Sequence, residues 1–294
     1  MATPALVLAL LLGQSPADPA RLFDYDAAAP IDFRVAGEEA VDGVQVQDIS
    51  YLSAREGRVP GYLVHPGSGG PFAGIVYMHW GQGDRTEFLS EAAILAKRGA
   101  VSILIDAPYH RPDIPSYNFV AEPEKERAGY IQLVADLRRA YDLLAARKDV
   151  DAKRIGYVGH SLGATWGGAL AGIDTRFAGY VLMGGLPRLT DILGDDSYAK
   201  LLQQAFKREQ LEKYIEVLSP LNPEIFVGQA APSSILFQFA RHDRFISEAM
   251  ARDYVKAAGD SHEVKWYFTS HEFNDPESSR DRMAFLAKKL GLAP

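Results

Sequence analysis

One short segment, Gly159–Gly163, constrains the fold more than any other part of the chain. It reads Gly-His-Ser-Leu-Gly, lies after the apolar run Arg154–Val158 and precedes a run of small residues, Ala164–Ala171. When a strand turns sharply into a helix, the residue at the apex takes a strained backbone conformation, and the residues two positions away must be small. We therefore predict a strand–turn–helix unit that exposes the Ser161 hydroxyl, as a nucleophile, beside the positive end of the following helix.

Apolar runs and helical patterns alternate along most of the chain. Five further apolar runs are typical of buried strands: Ala73–Met78, Val101–Ile105, Ala178–Met183, Ser233–Phe239 and Glu263–Phe268. Two segments before them form a hairpin pattern: Gln45–Ser53 and Arg58–His65. Helical patterns lie between the later strands and after the last one: Glu87–Arg98, Glu124–Arg147, Ser247–Ala258 and Pro276–Leu290. This order predicts an α/β fold whose mostly parallel central sheet has about eight strands, an antiparallel first hairpin and helices on both faces.

The segment 186–227 interrupts this alternation. It contains two or three helical patterns, around Asp195–Phe206 and Glu209–Leu218, between core elements. We interpret it as a small helical cap over the site within a single domain that spans residues 21–294. Its apolar side chains could line an acyl pocket, or they could simply pack the insert onto the core: Leu189, Ile192, Leu193, Phe206 and Tyr214.

The first 20 residues have two interpretations. The apolar run Ala5–Leu12 is too short to span a bilayer, and Ser15 and Ala17 fit the small-x-small pattern of a signal-peptide cleavage site. No Lys or Arg precedes the run, so a flexible N-terminal segment of a cytoplasmic protein also fits. The Ala- and Pro-rich segment Ala17–Pro30, which we expect to be extended, favours export to the periplasm or the medium.

Composition excludes several functional classes. The net charge of −7 and the absence of any basic block argue against nucleic-acid binding. Because the chain has no cysteine, it can form no disulfide, use no thiol nucleophile and bind no cysteine-ligated zinc.

Two strand ends offer a base and an acid for Ser161. Binding sites in parallel sheets form at the carboxyl ends of the strands. Asp243 follows the strand Ser233–Phe239, and His271 follows the strand Glu263–Phe268. The chain order serine, aspartate, histidine is the order expected when a Gly-x-Ser-x-Gly turn carries the nucleophile.

Other candidates for these roles are less well placed. Asp191, after the strand Ala178–Met183, is a competing acid. His262 lies at the opposite end of the last strand, and His242 adjoins Asp243 too closely to act as a separate base. Asp243 could instead form a helix cap or an ion pair with a neighbouring arginine.

Acyl transfer also needs backbone N–H donors for the developing oxyanion. Leu162, directly after the serine, is expected to supply one donor. The second should come from the loop His79–Gly83 after the first buried strand, from either Trp80 or Gly81. We expect His79 to brace this loop by hydrogen bonds.

These features resemble those of the α/β-hydrolase superfamily, and within it the chain is similar to dienelactone-hydrolase-like and acetyl-xylan-esterase-like serine esterases. The residues that carry the resemblance are His79–Gly83, Asp106–Pro108, Gly159–Gly163, Asp243 and His271. The resemblance extends from about Tyr51 to the C-terminus and implies an α/β-hydrolase fold.

The chain departs from the family pattern at two points. Trp80 replaces the usual second residue of a His-Gly-x loop, and the nucleophile of the true dienelactone enzymes is a cysteine, which this chain lacks. Asp106 resembles the structural aspartate that follows the fourth strand in this family.

The resulting hypothesis is a serine hydrolase, a carboxylic ester hydrolase that works through an acyl-enzyme. It implies a small-molecule ester as substrate, no metal or organic cofactor, no stable membrane insertion and a monomer or homodimer. Two alternatives remain at this stage: a serine peptidase that cleaves short peptides, and a non-catalytic member of the fold that binds a small molecule.

Overall fold

The computed structural model describes residues 18–114, 119–189, 191–194 and 197–293. The apolar run and cleavage pattern of the N-terminal segment, and Asp195 at the start of a predicted helix, lie outside these ranges. Within them, every helix is too short or too polar to cross a membrane.

A single mixed sheet of nine strands organises the molecule. The strands are β1 Arg34–Val41, β2 Val44–Leu52, β3 Arg58–Pro66, β4 Phe72–Met78, β5 Ala100–Ile105, β6 Val150–His160, β7 Gly179–Met183, β8 Ser234–His242 and β9 His262–Ser270. Their order across the sheet is β1-β2-β3-β5-β4-β6-β7-β8-β9. The pairs β1–β2, β2–β3 and β3–β5 are antiparallel, and all other pairs are parallel. The carboxyl ends of β4 to β9 therefore lie along one edge of the sheet. The predicted α/β fold is confirmed.

Helices cover both faces of the sheet. The helices are α1 Leu89–Ala96, α2 Pro123–Ala145, α3 Leu162–Ile173, α4 Ser197–Ala205, α5 Arg208–Leu218, α6 Glu248–Ala257 and α7 Pro276–Leu290. Buried side chains of α2, α3 and α6 belong to one core, and those of α1 and α7 belong to the core on the opposite face. The central strands read as continuous apolar runs because both of their faces are buried.

β1 has no counterpart among the predicted strands, so the sheet has nine strands where about eight were predicted. Every residue of β1 is exposed, and the strand contains Gly37 and two consecutive glutamates, Glu38 and Glu39. A strand at the edge of a sheet with no buried face has no apolar alternation to reveal it.

The extended conformation predicted for Ala17–Pro30 is also wrong in part. Residues Pro19–Phe23 form a 3₁₀-helix, capped by the Asp18 carboxylate, which accepts from the Ala20 N–H. The Phe23 ring is fully buried against Phe226, with ring centroids 5.6 Å apart. Burial of this one aromatic ring fixes the turn, which composition alone does not reveal.

The predicted insert between β7 and β8 contains α4, α5 and several short 3₁₀-helices. Buried side chains of this segment belong to the same core as α2 and α3: Leu189, Ile192, Leu202, Leu211 and Tyr214. The insert therefore packs on the face of the sheet that carries α3, next to the carboxyl end of β6.

Candidate active site

The strand–turn–helix unit predicted around Ser161 is present. β6 ends at His160, α3 begins at Leu162, and Ser161 between them has φ 51° and ψ −104°. A Cβ added at Gly159 would lie 2.4 Å from the Gly163 backbone, and one added at Gly163 would lie 2.4 Å from the Met78 carbonyl oxygen. The turn closes because these two positions carry no side chain.

Ser161, His271 and Asp243 form a continuous line of hydrogen bonds. His271 Nε2 lies 2.7 Å from Ser161 Oγ, and His271 Nδ1 lies 2.7 Å from Asp243 Oδ2. Since Nδ1 faces a carboxylate, it carries the ring proton, and the lone pair on Nε2 accepts from the serine hydroxyl. The structure thus brings together the three residues selected from the strand ends.

Backbone groups orient Asp243 towards this histidine. Its Oδ1 accepts from the N–H groups of Phe245 and Ile246, at 2.8 Å and 2.9 Å, which leaves Oδ2 for His271. The neighbouring Arg244 pairs with Glu272 instead, at 2.9 Å. Arg244, which could have formed an ion pair with Asp243, therefore pairs with another carboxylate.

The competing acid and bases lie apart from this line. Asp191 accepts from Arg188 Nε at 3.0 Å, in an ion pair of the insert. His262 contacts the Gly259 carbonyl oxygen at the start of β9, and the His242 ring packs edge-on against Phe268.

Of the two amides expected as the second oxyanion donor, those of Trp80 and Gly81, one already has an acceptor. The Trp80 N–H donates to Glu87 Oε2 at 2.8 Å, so it already has an acceptor. The Gly81 N–H has no acceptor among the described residues, and a Cβ added at Gly81 would meet nothing within 4 Å. The Leu162 N–H opens α3 and has no partner within that helix. Gly81 and Leu162 are therefore the donors that remain open beside Ser161.

His79 braces this loop, as predicted. It is buried, its Nε2 accepts from the Ala107 N–H at 3.1 Å, and its Nδ1 donates to the Trp80 carbonyl oxygen at 2.6 Å. Burial lowers the pKa of His79, which keeps the ring neutral and suited to these two opposite roles. Asp106 is likewise structural, since its carboxylate accepts from the Arg85 N–H at 2.8 Å.

A cavity of about 390 Å³ opens at the serine hydroxyl. Its walls include Ser161, His271, Trp80 and Gly81. Most of the remaining wall is apolar or aromatic and comes from the insert and neighbouring loops: Phe119, Leu186, Leu189, Ile192, Leu202 and Tyr214. Of the apolar residues named from the sequence, three line the cavity, whereas Leu193 and Phe206 pack against the core.

Several cavity residues were not identified from the sequence. Phe245 packs edge-on against the His271 ring, with centroids 4.8 Å apart, and Glu126 and Tyr130 of α2 reach the cavity from the far side. The helical pattern of α2 predicts which of its faces is buried, but no local signal indicates that this face meets the site. Outside the cavity wall, Glu87 and His160 were not identified from the sequence either; they hydrogen-bond to the Trp80 N–H and to the His271 carbonyl oxygen.

Together, the sheet order, the turn at Ser161 and the hydrogen-bonded serine, histidine and aspartate define an α/β-hydrolase fold. A scan against protein-family models and a search of curated proteins found no match. Solved structures with this fold are similar. The acetyl xylan esterase from Paenibacillus sp. R4 superposes with a TM-score of 0.71 at 19% identity, over 92% of each chain.

Two further structures extend the comparison. Acetyl xylan esterase 1 from Thermoanaerobacterium sp. JW/SL YS485 has a TM-score of 0.70 at 16% identity, over 92% of each chain. A protein described as a dienelactone hydrolase, from Klebsiella pneumoniae, has a TM-score of 0.62 at 19% identity, over 85% of this chain and 99% of its own. At these identities the likeness establishes the fold.

Proposed function

We propose that this chain is a carboxylic ester hydrolase that uses Ser161, His271 and Asp243 as a catalytic triad. The observation that carries the proposal is the line of two 2.7 Å hydrogen bonds from Asp243 through His271 to the hydroxyl of Ser161, at the mouth of a largely apolar cavity. Similar folds described as acetyl xylan esterases support the choice of esters.

The first half of the proposed reaction acylates the serine. Ser161 Oγ attacks the ester carbonyl carbon while its proton passes to His271 Nε2, and Asp243 stabilises the imidazolium. The N–H groups of Leu162 and Gly81 donate to the oxyanion. The intermediate then collapses, the ester C–O bond breaks, and His271 returns the proton to the leaving alcohol.

The second half releases the acid. A water molecule gives a proton to His271 Nε2 and attacks the acyl carbon through its oxygen. The bond to Ser161 Oγ breaks, the serine regains its proton from His271, and a carboxylic acid departs. In each half-reaction His271 thus takes a proton from the nucleophile and passes it to the leaving group.

Hydrolysis of p-nitrophenyl acetate tests the proposal. We expect measurable turnover by the purified chain and a loss of about 10⁴-fold or more in Ser161→Ala, because the triad acts as a unit. Ser161 is partly exposed at the turn, so the smaller alanine should leave the thermal unfolding curve close to that of wild type.

A p-nitrophenyl ester and a p-nitroanilide of the same N-acylated amino acid separate the esterase from the serine-peptidase alternative. We expect ester turnover to exceed amide turnover. Equal turnover of the two substrates would favour the peptidase, and full ester turnover by Ser161→Ala would contradict the proposal.

A further inference from the structure

A hydrogen-bonded pair, the buried His160 and the partly exposed Glu87, links the three segments that meet at Ser161. His160 Nε2 lies 2.7 Å from the carbonyl oxygen of His271, and His160 Nδ1 lies 2.5 Å from Glu87 Oε1. The other carboxylate oxygen of Glu87 accepts from the Trp80 N–H at 2.8 Å. The residue next to the nucleophile thus connects the histidine turn with the loop of Gly81.

The two partners of His160 determine how many protons the pair holds. A carbonyl oxygen only accepts hydrogen bonds, so Nε2 must donate to His271. Nδ1 faces a carboxylate oxygen, so this contact also needs a proton between nitrogen and oxygen. The pair therefore carries one proton more than a neutral imidazole beside a carboxylate. Without that proton, one of the two hydrogen bonds is lost.

The surroundings of the pair make such a loss consequential. His160 is 2% exposed, so water cannot replace a missing bond. The Trp80 ring stacks on it, 5.8 Å between centroids at 13°, and the rings of His271 and Phe273 lie 5.2 Å and 5.6 Å away. Charged or titratable groups also surround the pair and its partners: Arg282 of α7 with its ion-pair partner Glu91 of α1, Asp243 and Glu272 beside His271, and His79 near Glu87.

The turn that carries His271 needs a fixed point. Phe273, two residues later, has φ 49°, a conformation that side chains other than glycine rarely adopt. The bond from His160 holds the His271 carbonyl oxygen inside this strained turn. The bond from Glu87 holds the Trp80 N–H, which sets where the next amide, that of Gly81, is placed.

We propose that Glu87 and His160 are positioning residues for the proposed reaction, and that their hydrogen bonds keep the base and the oxyanion loop in register with Ser161. This inference rests on the proposed function. Its consequence is that a variant in which this link is lost has a lower kcat, whereas a variant that preserves both hydrogen bonds of Glu87 does not.

Two variants of Glu87 test the inference: Glu87→Ala removes the hydrogen bonds of the carboxylate, and Glu87→Gln preserves them. We expect Glu87→Ala to lower kcat about 10- to 100-fold, because small misplacements of reacting groups are costly, while KM for p-nitrophenyl acetate changes less than about threefold. In Glu87→Gln the amide oxygen can accept from Trp80 while the amide NH₂ donates to His160 Nδ1. The link is then preserved, so we expect kcat to recover to near the wild-type value.

His262→Gln is the matched control, because its ring contacts the Gly259 carbonyl oxygen and the Phe237 ring of β8, away from the pair, and we expect its kcat to equal that of wild type. Wild type and Ser161→Ala are measured in the same assay. An active Ser161→Ala overturns the proposed function itself. An inactive Ser161→Ala together with wild-type kcat in Glu87→Ala overturns this inference alone.

The comparison of Glu87→Gln with wild type remains decisive if Glu87→Ala fails to fold. Glutamine preserves the shape and both hydrogen bonds, so this variant is expected to unfold at the temperature of wild type. If a folded Glu87→Gln lost about 10- to 100-fold in kcat, the loss expected for Glu87→Ala, the role of this link would be overturned.

Discussion

At Ser161 the backbone carries the strain that exposes the hydroxyl proposed as the nucleophile. A φ of 51° for a residue with a side chain costs on the order of 1–3 kcal/mol. Surrounding contacts hold it there: the Ser161 N–H donates to the Met183 carbonyl oxygen at 2.7 Å, and Thr165 Oγ1 donates to the Ser161 carbonyl oxygen at 2.9 Å. The nucleophile is therefore placed by its main chain, which leaves its hydroxyl for His271.

Replacing Gly81 tests the second oxyanion donor. Gly81→Pro removes the N–H, and we expect kcat for p-nitrophenyl acetate to fall about 10²–10³-fold. Gly81→Ala keeps the N–H and has room for its Cβ, so its loss should be far smaller. Equal losses in the two variants would contradict the role of this amide.

Single residues were predictable where sterics or chain order act locally. The two glycines around Ser161, and the strand-end positions of Asp243 and His271, follow from such rules. The choice between Trp80 and Gly81 was not predictable, because it depends on Glu87 reaching back to accept from the Trp80 N–H. The proposed role of His160 was not predictable for the same reason: it depends on a hydrogen bond to the His271 carbonyl oxygen, more than a hundred residues away in the chain.

At the scale of elements, the insert between β7 and β8 shapes the cavity. Leu189 lines its wall, whereas Leu193, four residues later, packs outside it. We expect Leu189→Trp to fill part of the roughly 390 Å³ cavity and to lower the ratio of octanoate to acetate turnover in a series of p-nitrophenyl esters. Larger side chains in packed sites also destabilise, by about 1–3 kcal/mol, so unfolding is measured alongside.

Leu193→Trp is the matched control for Leu189→Trp. It adds the same volume to the same segment, and we expect it to leave the acyl-length ratio unchanged. If Leu189→Trp also left the ratio unchanged, the acyl chain would not occupy this part of the cavity.

The position of the insert was predictable, but its orientation was not. Interrupted alternation marks the segment 186–227, and helical spacing marks α4 and α5. Which side of each helix meets the cavity depends on how the helices sit on α2 and α3, and this long-range packing leaves no local pattern. For that reason Tyr214 lines the cavity, whereas Phe206 packs against the core.

At the scale of the molecule, one buried ion pair ties distant parts of the chain together. Arg111 Nη1, after β5, lies 2.7 Å from Asp136 Oδ2 in α2, and both side chains are fully buried. Asp136 Oδ1 also accepts from Ser53 Oγ at 2.6 Å. Burial raises the pKa of the Asp136 carboxyl, and Arg111 opposes that shift.

Breaking this pair should destabilise the whole domain. Arg111→Met leaves a buried carboxylate without its cation, and we expect the free energy of unfolding in urea to fall by about 3–5 kcal/mol. The double variant Arg111→Met/Asp136→Leu removes both charges and should lie closer to wild type. A single variant as stable as wild type would show that the pair contributes little.

The architecture was largely predictable because β4 to β8 are apolar on both faces and alternate with amphipathic helices. The order of the strands across the sheet was not, since it depends on which crossovers pack best. β1 was not predictable because it pairs with β2 through its backbone and buries no side chain. The buried pair Arg111 and Asp136 likewise reads as ordinary surface charge until the fold brings the two residues together.

Labelling with a fluorophosphonate most directly tests the claim that His271 and Asp243 activate Ser161. The serine oxygen attacks phosphorus and fluoride leaves. We therefore expect one phosphonyl group per chain, located by mass spectrometry on the peptide that contains Ser161. Labelling should be absent in Ser161→Ala and strongly slowed in His271→Ala. A label on another residue, or labelling of His271→Ala at the wild-type rate, would contradict the account.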